Sequence, residues 1–211
     1  MNYLRVKRIV DIILSLMGLI VLSPIFLVIV IAIKIDSKGP VLFQQKRIGI
    51  HKTPFYILKF RTMRIDTPKD TPTHLLKSPE QWITRVGKIL RKTSLDELPQ
   101  IINILKGEMS IIGPRPALWN QYDLIKERDK YGANDIKPGL TGWAQVNGRD
   151  ALPMEVKAKL DGEYAKKVGL LLDAKCFLKT VRSVFKSDGI LEGGTGSVDH
   201  HKVQDVKETV S

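Results

Sequence analysis

The chain has 211 residues, 43% of them hydrophobic, with 34 Lys and Arg against 22 Asp and Glu and a formal net charge of +12. That length holds one compact domain plus an additional element and excludes a second large domain. The basic balance asks for a polyanionic partner, whether nucleic acid, anionic lipid headgroups or phosphorylated substrates, without choosing among them. The single cysteine, Cys176, excludes an intramolecular disulfide and a cysteine metal cluster and suits a reducing compartment. It lies in an apolar helical stretch and reads as an inert core thiol.

Residues 12–33 carry no charge and are dominated by Ile, Leu and Val. The run is long enough to cross a bilayer as a helix and too long for the apolar core of a cleaved signal peptide. Two features argue against a straight span. Ser23-Pro24 lies mid-run, where proline removes a helical hydrogen bond and clashes with the preceding turn. The Ser23 hydroxyl is placed to satisfy the freed carbonyl. Both flanks are also basic: Arg5, Lys7 and Arg8 before, Lys34, Lys38, Lys46 and Arg47 after. Because basic residues prefer the cytoplasmic side, the reading is a helix-break-helix that enters and leaves by one face.

Further along, residues 41–43 and 55–60 read as a strand pair around a turn containing Gly49. Residues 66–79 read as a polar surface loop. Residues 82–90 have apolar positions at helical spacing. Ser94, or Thr93, followed by Glu97 in a capping-box pattern, predicts a helix through Ile101, Ile102 and Leu105 that stops at Gly107. Residues 110–116 and 138–149 are turn-rich and read as irregular. Residues 119–130, 154–167 and 170–185 read as helices, the last with an apolar stripe of Leu171, Leu172, Phe177, Leu178, Val181, Val184 and Phe185. Beyond Ile190 the sequence is Gly-rich and polar and reads as a frayed tail, with His200 and His201 solvated in it. The fold class is α+β, helix-rich.

The chemistry concentrates in Arg91-Lys92-Thr93-Ser94-Leu95-Asp96-Glu97-Leu98-Pro99-Gln100. An isolated Asp-Glu pair beside Pro99 would read as a dipole-stabilised helix start. The neighbourhood changes that. Lys59-Phe60-Arg61-Thr62-Met63 precedes it, and Gly113-Pro114-Arg115-Pro116, Pro138-Gly139-Leu140-Thr141-Gly142-Trp143 and Gly148-Arg149 follow. Phosphate recognition uses this mixture of cationic forks and turn-freed amides. A carboxylate can attack a phosphodiester anion only where cations neutralise the charge, which gives a reason for acids among so many Arg and Lys. Trp143 reads first as a packing residue.

The stretches KRIVDIILSLMGLIVLSPIF, KFRTM, RKTSLDELPQIINILKGEMSIIGPRP and PGLTGWAQVNGR, at their spacing, resemble the bacterial sugar transferases. These are the monotopic phosphoglycosyl transferases that begin capsule, exopolysaccharide, O-antigen and glycoprotein glycan assembly. The resemblance runs from about Lys7 to Phe185 and implies the minimal, single-domain form. It divides the chain into a re-entrant membrane element over 1–38, a small cytoplasmic catalytic domain over 39–190 and a tail over 191–211. It implies transfer of a sugar-1-phosphate from a UDP-sugar to undecaprenyl phosphate at the cytoplasmic face of the bacterial inner membrane. An N-acetylated hexosamine is the preferred sugar, with galactose or glucose as alternatives. Asp96 would be the nucleophile of a two-step route through an aspartyl phosphosugar. Glu97, with Asp96, would hold Mg²⁺. Lys59, Arg61, Arg91, Arg115 and Arg149 would lie on the phosphates, and Ser23 and Pro24 would match the helix break. Anionic lipids are expected partners and nucleic acid is not. The rival readings are a membrane-tethered nucleic-acid binder, suggested by charge, and a non-catalytic scaffold of a glycan assembly complex.

Overall fold

The computed structural model describes residues 3–67, 79–148 and 152–186. Arg149, most of the 66–79 loop and the tail with His200 and His201 lie outside the described residues. The elements run α1 (Tyr3–Asp36), β1 (Leu42–Ile48), β2 (Pro54–Phe60), α2 (Arg85–Lys92), α3 (Gln100–Lys106), β3 (Ser110–Ile112), α4 (Tyr122–Asp129), β4 (Gly139–Thr141), α5 (Trp143–Val146), α6 (Met154–Lys167) and α7 (Leu170–Lys186).

α1 is 34 residues long, about 51 Å at the helical rise, and is apolar enough to cross a membrane. The expected separation into two helices is not what the structure has, because the helix continues through Pro24. Its cost is met locally. Ser23 Oγ donates to the Ile20 carbonyl at 2.8 Å, the acceptor that an amide at position 24 would have used.

Both ends of α1 dock on the same globular body. At the start the contacts are polar. Tyr3 and Lys7 bond Asp173 of α7, Arg8 donates to the Ile104 and Leu105 carbonyls at the end of α3, and Asp11 accepts from Ser110 Oγ and the Ile111 amide. At the far end they are apolar. Ile29 and Ile33 form one buried cluster with Phe60 and Leu90, joined by Phe26, Val30, Leu95 and Leu98. Between these anchors Leu16, Met17, Ile20, Val21, Leu27 and Val28 are exposed. α7 also leaves Leu170, Leu171, Phe177 and Leu178 exposed. A large apolar surface on an otherwise basic protein marks contact with a nonaqueous partner.

β1 and β2 pair antiparallel with Leu42 opposite Phe60, the strand pair expected around the Gly49 turn. The far edge of β2 is completed by a side chain. Asn103 of α3 accepts from the Leu58 amide at 2.9 Å and donates to the Tyr56 carbonyl at 2.8 Å, which ties α3 to the strand that carries Lys59.

Three readings are corrected here. The helix expected from Ser94 begins later. Ser94 adopts a left-handed conformation (φ 57) with no side-chain cap, Leu95–Glu97 form a 3-10 turn, and α3 starts at Gln100. The Glu97 side chain bonds cations rather than the Ser94 amide, so no capping box closes. The helix expected over 82–90 is shifted, because Thr84 is the cap, accepting from the Gly87 amide at 3.0 Å. The segments expected to be irregular contain a parallel pair, β3 with β4. A Cβ at Gly139 would stand 2.1 Å from the Gly113 amide nitrogen. Glycine there serves a close backbone crossing, and the Gly113 and Gly139 amides donate to Thr141 and Pro114 carbonyls instead of facing a ligand.

Candidate active site

The site lies where the turn carrying Asp96 and Glu97 meets the end of β2. Leu95 and Leu98 on either side of the pair are packed into the cluster with Ile29 and Ile33, so the acidic turn stands directly on the second half of α1. Across from it Lys59 Nζ lies 2.7 Å from Glu97 Oε1. Arg115 reaches the same oxygen with Nη2 at 2.9 Å and Oε2 with Nη1 at 3.5 Å. The Glu97 side chain is 18% exposed, Lys59 17% and Arg115 40%, so the cluster opens to solvent on the Arg115 side.

The neighbouring carboxyls are driven in opposite directions. Burial pushes Glu97 up, but Arg115 and Lys59 outweigh it and hold the group well below the usual carboxylate range. Burial also pushes Asp96 up, and here it wins over Lys59, Arg91 and Arg115, helped by the negative charge of Glu97. Among the described residues none donates a hydrogen bond to the Asp96 carboxylate. The Asp96 carboxylate thus stands partly buried in the field of three cations.

Arg91 is steered by its Nε donating to Thr62 Oγ1 at 2.9 Å, and its charge acts on Asp96. Lys59, Arg91 and Arg115 are thus brought to the acidic pair. Arg61 is not. It is buried, and its guanidinium donates to the Ser37 carbonyl at 2.8 Å, to Ser37 Oγ at 3.0 Å and to the Lys38 carbonyl. It fastens the chain at the end of α1 through Nη1 and Nη2, while its buried Nε has no hydrogen-bond partner among the described residues. Arg149 lies outside the described residues. Trp143 is a packing residue whose ring lies under Lys175 and Lys179, at 5.2 Å and 4.8 Å from its centroid. Cys176 is fully buried, and burial pushes its thiol up to about 11, in keeping with an inert role.

No group of three or more His, Cys, Asp and Glu gathers into a metal site among the described residues. The donor set fits Mg²⁺ in another way. That ion takes one or two carboxylates and completes its shell with water and substrate phosphate oxygens, and the Asp96 oxygens accept no hydrogen bond from the described residues.

The sequence did not signal Thr62, which orients Arg91, or Arg128 and Asp161, which bond behind Arg115. An acid beside Leu160 on the buried side of α6 was the available hint for Asp161.

The description "Bacterial sugar transferase" matches residues 2–187. The chain is 40% identical over 184 residues to the uncharacterized sugar transferase EpsL of Bacillus subtilis, covering 87% of this chain and 89% of that one. It is 40% identical over 183 residues to the UDP-glucose:undecaprenyl-phosphate glucose-1-phosphate transferase of Escherichia coli, covering 83% of this chain.

The chain belongs to the bacterial sugar transferase family.

A third relative, from Aeromonas hydrophila, is a UDP-N-acetylgalactosamine-undecaprenyl-phosphate N-acetylgalactosaminephosphotransferase, 37% identical over 194 residues and 89% of this chain. The chain spans only 39% of the Escherichia coli enzyme and 45% of the Aeromonas enzyme. Named substrates among these sugar transferases therefore include both glucose and N-acetylgalactosamine, and both are carried by UDP in those names.

Proposed function

We propose that this sugar transferase moves a sugar-1-phosphate from a UDP-sugar to undecaprenyl phosphate, giving undecaprenyl-diphospho-sugar and UMP. The observation that carries the reading is the Asp96 carboxylate, desolvated, without a hydrogen bond from the described residues, and flanked by Lys59, Arg91 and Arg115.

In the first step an Asp96 oxygen forms a bond to the sugar-bearing phosphorus, and the bond from that phosphorus to the bridging oxygen breaks, releasing UMP. In the second, an oxygen of undecaprenyl phosphate attacks the same phosphorus. The diphosphate bond forms, and the Asp96 carboxylate leaves unchanged. Lys59 and Arg115, paired with Glu97 in the free protein, exchange part of that pairing for diphosphate oxygens. Arg91 stands on the Asp96 side and offsets charge there. Mg²⁺ held by Asp96 and Glu97 would supply a Lewis acid against the diphosphate.

The setting favours a lipid acceptor. A helix of about 51 Å whose two ends touch one polar body cannot run straight through a hydrocarbon layer of about 30 Å with that body on one side. Entry and exit by one leaflet, with a bend eased at Ser23-Pro24, satisfies both contacts. The basic flanks favour the cytoplasmic face of the inner membrane and contact with anionic lipids. Leu95 and Leu98, resting on Ile29 and Ile33, would hold the acidic pair at headgroup height.

The test is UMP release in detergent from undecaprenyl phosphate with UDP-glucose, UDP-galactose, UDP-N-acetylglucosamine and UDP-N-acetylgalactosamine in turn. At least one donor is expected to give UMP only when the lipid is present in turnover amounts. UMP release that never depends on the lipid contradicts the reading.

A further inference from the structure

We propose that the buried Arg128–Asp161 pair is a positioning device for Arg115, holding the Gly113–Pro116 loop so that the Arg115 guanidinium stays on the acidic pair. The inference rests on the active-site reading above and adds two residues, remote in sequence, that act through a third.

Arg128, on α4, donates through Nε at 2.9 Å and Nη2 at 2.6 Å to Asp161 Oδ2 on α6. The same Nη2 donates to the Arg115 carbonyl at 3.0 Å. Asp161 therefore fixes the guanidinium, and the guanidinium fixes the backbone of the residue whose side chain meets Glu97. The next carbonyl is held from a different element, since Arg47 Nη1 of β1 donates to Pro116 O at 3.0 Å. Successive carbonyls of one loop are thus gripped from α4 and from β1. The close approach of α6 that brings Asp161 to Arg128 depends on Gly162, where a Cβ would stand 2.2 Å from Tyr131 Cβ.

Fold stability alone is a poor reason for this pair. Its side chains are only 5% and 1% exposed, and burial pushes the Asp161 carboxyl up even with Arg128 beside it. Buried pairs of this kind are often replaceable by apolar residues without loss of stability. Arg115, in contrast, has a long side chain that is two-fifths exposed. Its aim depends on where its backbone is held, because a free arginine loses substantial rotamer entropy on pairing.

The experiment replaces both charges at once, Arg128→Met with Asp161→Leu, and separately makes Arg128→Lys, which keeps a cation for Asp161 but no fork for the Arg115 carbonyl. Each is measured with and without Arg115→Ala, by UMP release from the UDP-sugar selected above. Melting temperature is followed as the check on folding. With Arg115 present, either change is expected to lower kcat/KM about 100-fold, the scale of a misplacement of about 1 Å. In the Arg115→Ala background it should cost less than about 3-fold, because the residue being positioned is gone. A merely structural pair would cost the same factor in both backgrounds, and that equality overturns the proposal. So does a folded variant with near-normal kcat/KM. If Arg115→Ala itself turns over like the wild type, the active-site reading falls instead; if Arg115→Ala is impaired and the pair variants are not, only the positioning role falls.

Discussion

The acidic cluster around Glu97 and the Arg128–Asp161 pair meet at Arg115, one at its guanidinium and the other at its carbonyl, and they use charge for opposite ends. The inner pair is closed and balanced, one cation to one anion, with almost no surface in water. The outer cluster is open on one side and unbalanced, with Lys59, Arg91 and Arg115 against Asp96 and Glu97. A closed pair resists exchange of partners, because separating it leaves a charge buried without compensation. An open cluster with a cation in excess can take up an anion and release it. In the proposed reading, the closed pair supports and the open cluster reacts.

The largest break in the outer cluster is Asp96→Asn. Turnover should fall more than about 10³-fold with the fold intact. The sign of the accompanying stability change is also set. Burial raises the folded-state pKa of Asp96, so its ionised form opposes folding at pH 7, and Asn should raise the melting temperature there. A variant that loses both activity and stability would contradict the destabilising burial of that carboxylate.

Glu97→Gln should cost about 10²-fold in kcat/KM, and EDTA should stop the wild type if, as proposed, the two carboxylates hold Mg²⁺. Glu97 titrates in the opposite sense to Asp96. Its folded pKa is depressed, so its contribution to stability is full above the unfolded value of about 4.5 and is lost as pH falls below it. Denaturant melts from pH 6 downward should therefore show the wild type losing stability more steeply than Glu97→Gln. Parallel curves would deny the coupling to Lys59 and Arg115.

The smaller effect sharpens the contrast in stability alone. Asp161→Asn, which strands Arg128 in the interior, should cost about 3–5 kcal/mol at pH 7. Glu97→Gln, which leaves two cations that can turn to water, should cost about 1 kcal/mol. Equal costs would mean that the two clusters are not different in kind.

Much of this was legible in the sequence because it is written in short-range pattern. The uncharged run gave α1, the apolar run ending at Phe60 gave β2, and the apolar stripe of residues 170–185 gave α7. The density of Lys and Arg around Asp96 and Glu97 pointed to a candidate site, and Lys59 and Arg115 do reach Glu97. What was not legible depends on pairing at long range. β3 and β4 are three residues each and are joined through glycines that read as turns. Arg61 stands in a motif with Lys59, yet the end of α1 claims it. Glu97, three residues after Ser94, matched a capping box, but the stronger charge-assisted bonds to Lys59 and Arg115 took its side chain. Nothing local distinguishes Arg128 from the other charges of α4, and its role appears only when α6 is laid against it.

Intact-protein mass, followed by peptide mapping, on protein incubated with donor sugar nucleotide and no polyprenol addresses the nucleophile itself. The account predicts a gain equal to one sugar phosphate, localised to Asp96, absent in Asp96→Asn and discharged when undecaprenyl phosphate is added. Turnover by protein that never carries that mass, at this residue or any other, would contradict it.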